Sequence, residues 1–77
     1  MRIAAINVTL RDKTFQSKFP INQETPEYKI ADEAYKVGML FAHTQMLAQF
    51  GMPISGYEFE KFIQDLDYTY EIREEDN

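Results

Sequence analysis

The chain contains no cysteine, no tryptophan and one histidine among its 77 residues. Without cysteine it can form neither a disulfide nor a thiolate metal site, and His43 alone cannot build a histidine cluster. We therefore expect no metal and no cofactor. A chain of this length predicts one domain, 1–77, whose core rarely supplies more than about 3–5 kcal/mol of stability. Association with another protein is the remaining source of support.

Charge is also missing from a long internal stretch. No charged side chain lies between Lys36 and Glu58, and residues 37–50 are apolar on nearly every side of a helix. Gly51 and Pro53 interrupt this stretch, so it does not reach the roughly 20 apolar residues of a membrane span. The first residues also lack the apolar run of a signal peptide. The sequence therefore predicts a soluble cytoplasmic protein that binds no membrane.

The net charge of −5 is concentrated in the C-terminal third. Residues 1–51 carry six bases and five acids, whereas residues 52–77 carry two bases and eight acids. Such an acidic region repels nucleic-acid phosphates and favours a protein partner with a basic surface. The acidic partner surface predicted here consists of Glu58, Glu60, Asp65, Asp67, Glu71, Glu74, Glu75 and Asp76. The alternative is that the excess acid serves only solubility.

Alternation of apolar and polar residues predicts a β-hairpin over 3–21. With a turn at 12–13, Leu10 faces Phe15 across the hairpin, and the large apolar residues share one face. A longer loop in the same register is the alternative, because Asp-Lys is a poor two-residue turn. Pro20 cannot donate a ladder hydrogen bond, which either places the second strand at an edge of the sheet or ends its pairing there.

A long helix is predicted over 26–50. Thr25 is a suitable cap, Pro26 suits the first helical position, and Gly51 suits the left-handed residue that ends a helix. The positions assigned to the sheet are Ile30, Ala34, Val37, Phe41 and Ala48. The opposite stripe, which we assign to a partner or to a second copy of the chain, consists of Tyr28, Tyr35, Met39, Met46 and Phe50. Two leucines, Leu40 and Leu47, lie between the stripes.

A second helix is predicted over 56–66, where Ser55 and Glu58 fit a capping box. Alternation then predicts a third strand over 67–73, which pairs most simply with the first strand, and an acidic tail, 74–77, that frays unless a partner holds it. The expected fold is α+β, in the order ββααβ, with a three-stranded, mainly antiparallel sheet and two helices packed on one face.

Residue types that catalyse reactions are present, but not in catalytic arrangements. His43 has no serine, cysteine or carboxylate three or four residues away on its helix. Carboxylates two residues apart on a helix, such as Glu58 and Glu60, point away from each other. We therefore expect no enzymatic activity. His43 remains a candidate for a pH-sensitive position, because its unperturbed pKa lies near neutrality.

Two functional hypotheses follow. In the first, the chain is a small acidic module, a viral or mobile-element accessory factor, that docks on a larger protein and inhibits or redirects it. In the sharpest form of this hypothesis the carboxylates imitate DNA phosphates and occupy a basic cleft, without direct nucleic-acid binding by the chain itself. In the second, the chain is a structural homodimer formed through the apolar stripe of the long helix.

Overall fold

A computed structural model describes residues 1–75. The chain folds as β1 (Arg2–Leu10), β2 (Lys13–Pro20), α1 (Glu27–Phe50), α2 (Gly56–Phe62) and β3 (Asp67–Glu74). The three strands form one antiparallel sheet in the order β2-β1-β3. The predicted α+β class, element order and sheet are confirmed, including β2 as an edge strand and the pairing of β3 with β1. Within the described residues no helix is long and apolar enough to cross a membrane.

The hairpin register differs from the predicted one by two residues. Leu10 lies opposite Lys13 and Val8 lies opposite Phe15, so the turn consists of Arg11 and Asp12. A shift of two residues preserves which side chains share a face, because side chains alternate with a period of two. Phe15 therefore still points to the same side of the sheet as Val8, although its predicted neighbour was wrong.

Arg11 occupies the observed turn in an unusual backbone conformation. Its backbone has φ 56°, a left-handed conformation that residues other than glycine rarely adopt. Its guanidinium group donates a 3.0 Å hydrogen bond to the carbonyl of Phe62, stacks 4.6 Å from the centre of the Phe62 ring, and lies 4.0 Å from Asp65. These contacts tie the hairpin turn to the end of α2 and offset the unfavourable backbone conformation.

The predicted cap of α1 is wrong, whereas its predicted end is confirmed. Pro26 occupies the N-cap position, and Thr25 instead exchanges hydrogen bonds with Asn22, which closes the loop before the helix. At the other end, Gly51 has φ 74° and its N–H donates to the carbonyl of Leu47. Glycine adopts this left-handed conformation without the steric penalty that a β-carbon brings.

The face of α1 that lies on the sheet differs from the predicted face. The buried line follows a spacing of four residues and consists of Ile30, Ala34, Gly38, Ala42 and Met46. Val37 and Phe41 lie at the flank of this line, and Ala48 is exposed. Small side chains let the helix approach the sheet closely: a β-carbon at Gly38 would lie 3.2 Å from Cδ1 of Tyr68. The face of α1 that packs on the sheet is therefore the one with small side chains, which allow close packing, and not the one with the most large apolar side chains.

Helix α2 begins as predicted and ends early. The hydroxyl of Ser55 accepts a 3.2 Å hydrogen bond from the N–H of Glu58 and donates one of 3.2 Å to its carboxylate. The helix ends at Phe62 rather than at 66, and a turn through Gln64 leads into β3. Phe62 is buried against Leu10 and the last turns of α1, so α2 closes the core where α1 extends past the sheet.

The predicted fraying of the tail is wrong for its first two residues. Glu74 is the last residue of β3, and the N–H of Glu75 donates a 2.8 Å hydrogen bond to the carbonyl of Met1. The ladder between β1 and β3 therefore continues to Glu75. Asp76 and Asn77 lie outside the described residues.

Candidate functional site

Exposed apolar side chains lie between β2 and α1. Helix α1 packs over β1 and β3 and makes few contacts with β2, so the helix-facing side of β2 is left open. We call this region the open groove and define it by Phe15, Phe19, Val37, Leu40, Phe41 and Thr44. A helix centred on the middle strand would have covered both edges, so the groove results from the sideways position of α1.

Aromatic stacking builds the wall of the open groove. The rings of Phe15 and Phe41 are stacked with centroids 5.6 Å apart and an angle of 15° between their planes. Phe15 nevertheless remains 45 % exposed, and Leu40, on the outer side of α1, is 70 % exposed. Leu47 lies farther along α1 and is 48 % exposed. These side chains give the groove an apolar end that water covers in the isolated chain.

Only part of the predicted α1 stripe is exposed. Tyr28 is exposed and Met39 is partly buried, whereas Met46 is 5 % exposed and belongs to the core. Tyr35 and Phe50 are each about half exposed, and each makes an edge-on aromatic contact, with Tyr68 and Phe62 respectively. The assignment of Met46 to a partner surface is wrong. Sequence reasoning missed Leu40 and Phe15, although Leu40 was placed at the margin of the stripe.

The other end of the open groove is polar. Beside Phe19, it is bordered by Ile21, Lys29 and the charged cluster of Asp32, Glu33 and Lys36. The ammonium group of Lys36 lies 3.1 Å from Asp32 and 3.7 Å from Glu33. A hydrogen bond to Asp32, together with the negative charges of both acids, raises the pKa of Lys36 above its ordinary value. The groove therefore changes from apolar to charged along its length.

The predicted acidic surface is partly neutralised by the folded chain. Carboxylates from the C-terminal third form ion pairs with bases from the first half: Glu74 with Arg2, Asp65 with Arg11, and Glu75 with Lys18. Glu71 and Glu75 also pair with Arg73. Within residues 1–75, no such ion pair involves Glu58, Glu60 or Asp67. The pairing of β3 with β1 thus joins charges that lie far apart in the sequence.

The ion pairs of Lys18 and Arg73 lie across the sheet face opposite to α1. On this face Ile3 and Ala5 are 5 % and 2 % exposed, although only side chains of the neighbouring strands can cover them. Long basic side chains bury their aliphatic stems while their charged ends remain in water. We infer that these stems shield the two apolar residues, so that the acids here stabilise the chain itself.

The Lys18–Glu75 pair predicts a small loss of stability in acid. A 2.9 Å hydrogen bond from Lys18, helped by the charge of Arg73, lowers the pKa of Glu75 below its ordinary value of 4.5. A lowered pKa contributes stability above pH 4.5, and this contribution is lost as the pH falls through the folded-state pKa. We expect Lys18→Ala to reduce the acid-induced loss of unfolding free energy, measured by urea titration at neutral and acidic pH. Lys13→Ala on the same strand is the control; equal pH dependence in both variants would contradict the assignment.

His43 is exposed on α1 and packs against α2. Its Nδ1 atom lies 2.8 Å from the carbonyl of Met39, and its ring centre lies 4.5 Å from that of Phe59. The structure places no nucleophile or carboxylate in hydrogen-bond contact with the ring among residues 1–75. The pH-sensitive role of His43 remains a prediction, and its place is the contact between the two helices rather than the open groove.

The described part of the chain contains no group of three or more histidine, cysteine or acidic side chains placed to hold a metal ion. Comparison of the chain with protein-family models, with curated proteins and with solved structures gives no match.

Proposed function

We propose that the chain is a non-catalytic protein-binding module that docks on a larger protein through the open groove and thereby inhibits or redirects it. The observation that carries this proposal is the exposure of Leu40 and Phe15 beside a strand that α1 leaves uncovered. Contiguous exposed apolar surface of this kind marks interaction sites in soluble proteins. Burial of these side chains by a partner supplies the main favourable term in association.

Acidic groups give this proposal its electrostatic part. Glu58, Glu60 and Asp67 are exposed and take part in no ion pair among residues 1–75. Their charge favours the approach of a basic partner and speeds association at low salt. Since apolar burial resists salt and exposed charge does not, a partner bound mainly by the groove is retained when the salt concentration rises.

The proposal predicts that one substitution in the groove abolishes docking. Leu40→Glu places a carboxylate in the apolar end, and we expect it to lose the partner that the native chain captures from a lysate of its source organism. Tyr28→Glu is the matched control, because Tyr28 and Leu40 are both 70 % exposed on α1 and both variants add one negative charge. Capture is measured by pull-down and mass spectrometry at low and high salt. Loss in both variants, or in neither, contradicts docking through the groove.

The second candidate is a homodimer, and a different observation favours it. Val37, Leu40, Thr44 and Leu47 follow the 3-4-3 spacing of a helix-packing seam on the outer side of α1. However, a helix of 24 residues is about 36 Å long and 10 Å wide, so its outer face offers about 360 Å². A stable interface takes about 800 Å² from each partner, so this seam supports only a weak dimer.

The homodimer predicts a mass in solution that rises with concentration. Sedimentation of the native chain and of Leu40→Glu measures this directly. We expect Leu40→Glu to shift the monomer–dimer equilibrium toward monomer by at least tenfold, because two carboxylates would meet near the two-fold axis. A native chain that stays monomeric at every concentration excludes the homodimer and leaves the first candidate standing.

A further inference from the structure

Within residues 1–75, the backbone groups on the outer side of the edge strand β2 have no hydrogen-bond partner. In an antiparallel pair, successive residues point their backbone N–H and C=O groups alternately toward and away from the partner strand. The N–H of Ile21 donates to Arg2 of β1, which fixes the alternation along β2. The N–H groups of Thr14, Gln16 and Lys18 therefore point away from β1. Pro20 belongs to the same outward series but has no N–H, so it limits the free edge at one end.

The open groove lies directly above this free edge. Phe15, Ser17 and Phe19 point from β2 toward α1, and the smallest of them stands in the middle. One depression of about 220 Å³ lies beside Phe15, and another of about 430 Å³ lies beside Phe19. The two phenylalanines are four positions apart along the strand, a distance of about 13 Å. A strand paired with β2 would place every second side chain above the groove.

We propose that the partner enters as an extended segment that adds a fourth strand to the sheet beside β2. This inference rests on the proposed docking through the open groove and names its mode. Backbone hydrogen bonds to Thr14, Gln16 and Lys18 align the segment, and two side chains four residues apart fill the two depressions. The side chain beside Phe15 is large and apolar, because the walls there are Val37 and Phe41.

Charge identifies the segment as one that carries carboxylates. Strand β2 bears Lys13 and Lys18 and no acidic residue. Opposite charges on adjacent strands stabilise pairing, and like charges destabilise it. Lys18 is already paired with Glu75, so Lys13 is the base on β2 that takes part in no ion pair among residues 1–75. Two β2 strands paired with each other would bring two such lysines to the edge and no acid on either strand, which disfavours a second copy there. The occupant is therefore a segment of another protein, with an aspartate or glutamate opposite Lys13, which shares a face of β2 with Phe15.

Selection of peptides tests the occupant. Random ten-residue peptides are displayed and selected on the immobilised full chain. We expect enrichment of peptides with one large apolar residue, a polar or charged residue four positions to one side of it, and a carboxylate two positions to the other side, because alternate positions of a strand share one face. Enrichment of peptides whose apolar residues follow the helical spacing of three and four, or no enrichment, overturns the proposal.

Methylation of peptide amides then tests the pairing. In a synthetic peptide from the selection, alternate N–H groups face β2. N-methylation of one alternate set is expected to weaken binding at least tenfold, and methylation of the other set is expected to leave the Kd within twofold. Equal effects of the two sets overturn strand addition.

A substitution in β2 distinguishes strand addition from other ways of docking through the open groove. Gln16→Pro removes an outward N–H without touching the ladder to β1, and Gln16→Ala is its control; Thr14→Pro repeats the test if Gln16→Pro does not fold. We expect the proline variant to bind the selected peptide at least tenfold more weakly than the alanine variant. A partner captured equally by Gln16→Pro and Gln16→Ala, yet lost in Leu40→Glu, leaves the proposed function intact and overturns strand addition. A native dimer that Gln16→Pro dissociates assigns the edge to a second copy and also overturns it.

Discussion

Replacing Ile6 by alanine is expected to unfold a large part of the protein at 25 °C. Ile6 is completely buried in the middle strand, where it packs with Val8 and Ala34 beneath α1. Truncation of a buried isoleucine to alanine costs about 2–5 kcal/mol, because apolar contacts are lost and the cavity closes only in part. A domain of this size has only about 3–5 kcal/mol in total. The loss is therefore comparable with the whole stability of the fold.

Urea unfolding followed by far-UV circular dichroism measures this effect. Thr9→Ala is the matched control, because Thr9 lies on the same strand and is exposed on the opposite face of the sheet. A surface substitution of this kind changes stability by about 0.5 kcal/mol or less. A midpoint for Ile6→Ala equal to that of Thr9→Ala would mean that β1 is not the centre of the core.

The elements of the fold were predictable because their signals are local. Residues 6–10 alternate with a period of two, Gly51 ends α1 in a left-handed conformation, and Ser55 caps α2 through its hydroxyl. Each of these signals depends on neighbours a few residues away in the chain. The sheet order also followed, since Pro20 marked β2 as an edge and left β1 as the middle strand.

The register of the hairpin was not predictable from such signals. Its turn uses Arg11 in a conformation that favours glycine, and the contacts that compensate come from Phe62 and Asp65, about fifty residues later in the chain. Turn preferences cannot include a contact at that distance. The same reasoning applies to the charges. Arg2 lies beside Glu74 because the ends of β1 and β3 are paired. The numbers of acids and bases in the sequence do not predict this pairing.

The predicted stripe on α1 shares no residue with the open groove. The sequence indicated that α1 carries more apolar surface than its own domain covers, and Leu40 and Leu47 are indeed exposed. The position of that surface depends on how far α1 is displaced sideways over the sheet. The displacement is set by close packing at Ala34, Gly38 and Ala42. In the sequence, only the spacing of these small residues indicates which face of α1 packs on the sheet. A prediction based on where the large apolar residues lie gives small residues little weight.

The variants Met46→Glu and Leu40→Glu compare a residue of the predicted stripe with a residue of the open groove. Met46 is 5 % exposed within the core of Leu10, Ala42 and Phe62. A carboxylate placed there loses its hydration without gaining an ionic partner, which costs several kcal/mol. We expect Met46→Glu to be unfolded at pH 7, because the cost exceeds about 3 kcal/mol, the lower end of what such a domain has. Leu40→Glu is expected to change stability by about 0.5 kcal/mol or less.

Far-UV circular dichroism and urea titration of both variants test this contrast, with Met46→Leu as the control for volume. Methionine and leucine have similar volumes, so Met46→Leu is expected to cost less than about 1.5 kcal/mol. Burial raises the pKa of an introduced carboxyl group, so Met46→Glu should recover part of its structure as the pH falls and the group becomes neutral. If Met46→Glu is as stable at pH 7 as Leu40→Glu, the side chain of residue 46 is on the surface and not in the core.

The same pair of variants connects stability with docking. If Leu40→Glu keeps the unfolding free energy of the native chain and still loses its partner, Leu40 serves the surface and not the fold. Met46→Leu should show the reverse combination, a measurable cost in stability with docking retained, because Met46 lies on the buried face of α1 and does not line the open groove. A folded Met46→Leu variant that cannot bind would show that the shape of the groove depends on how α1 packs on the sheet.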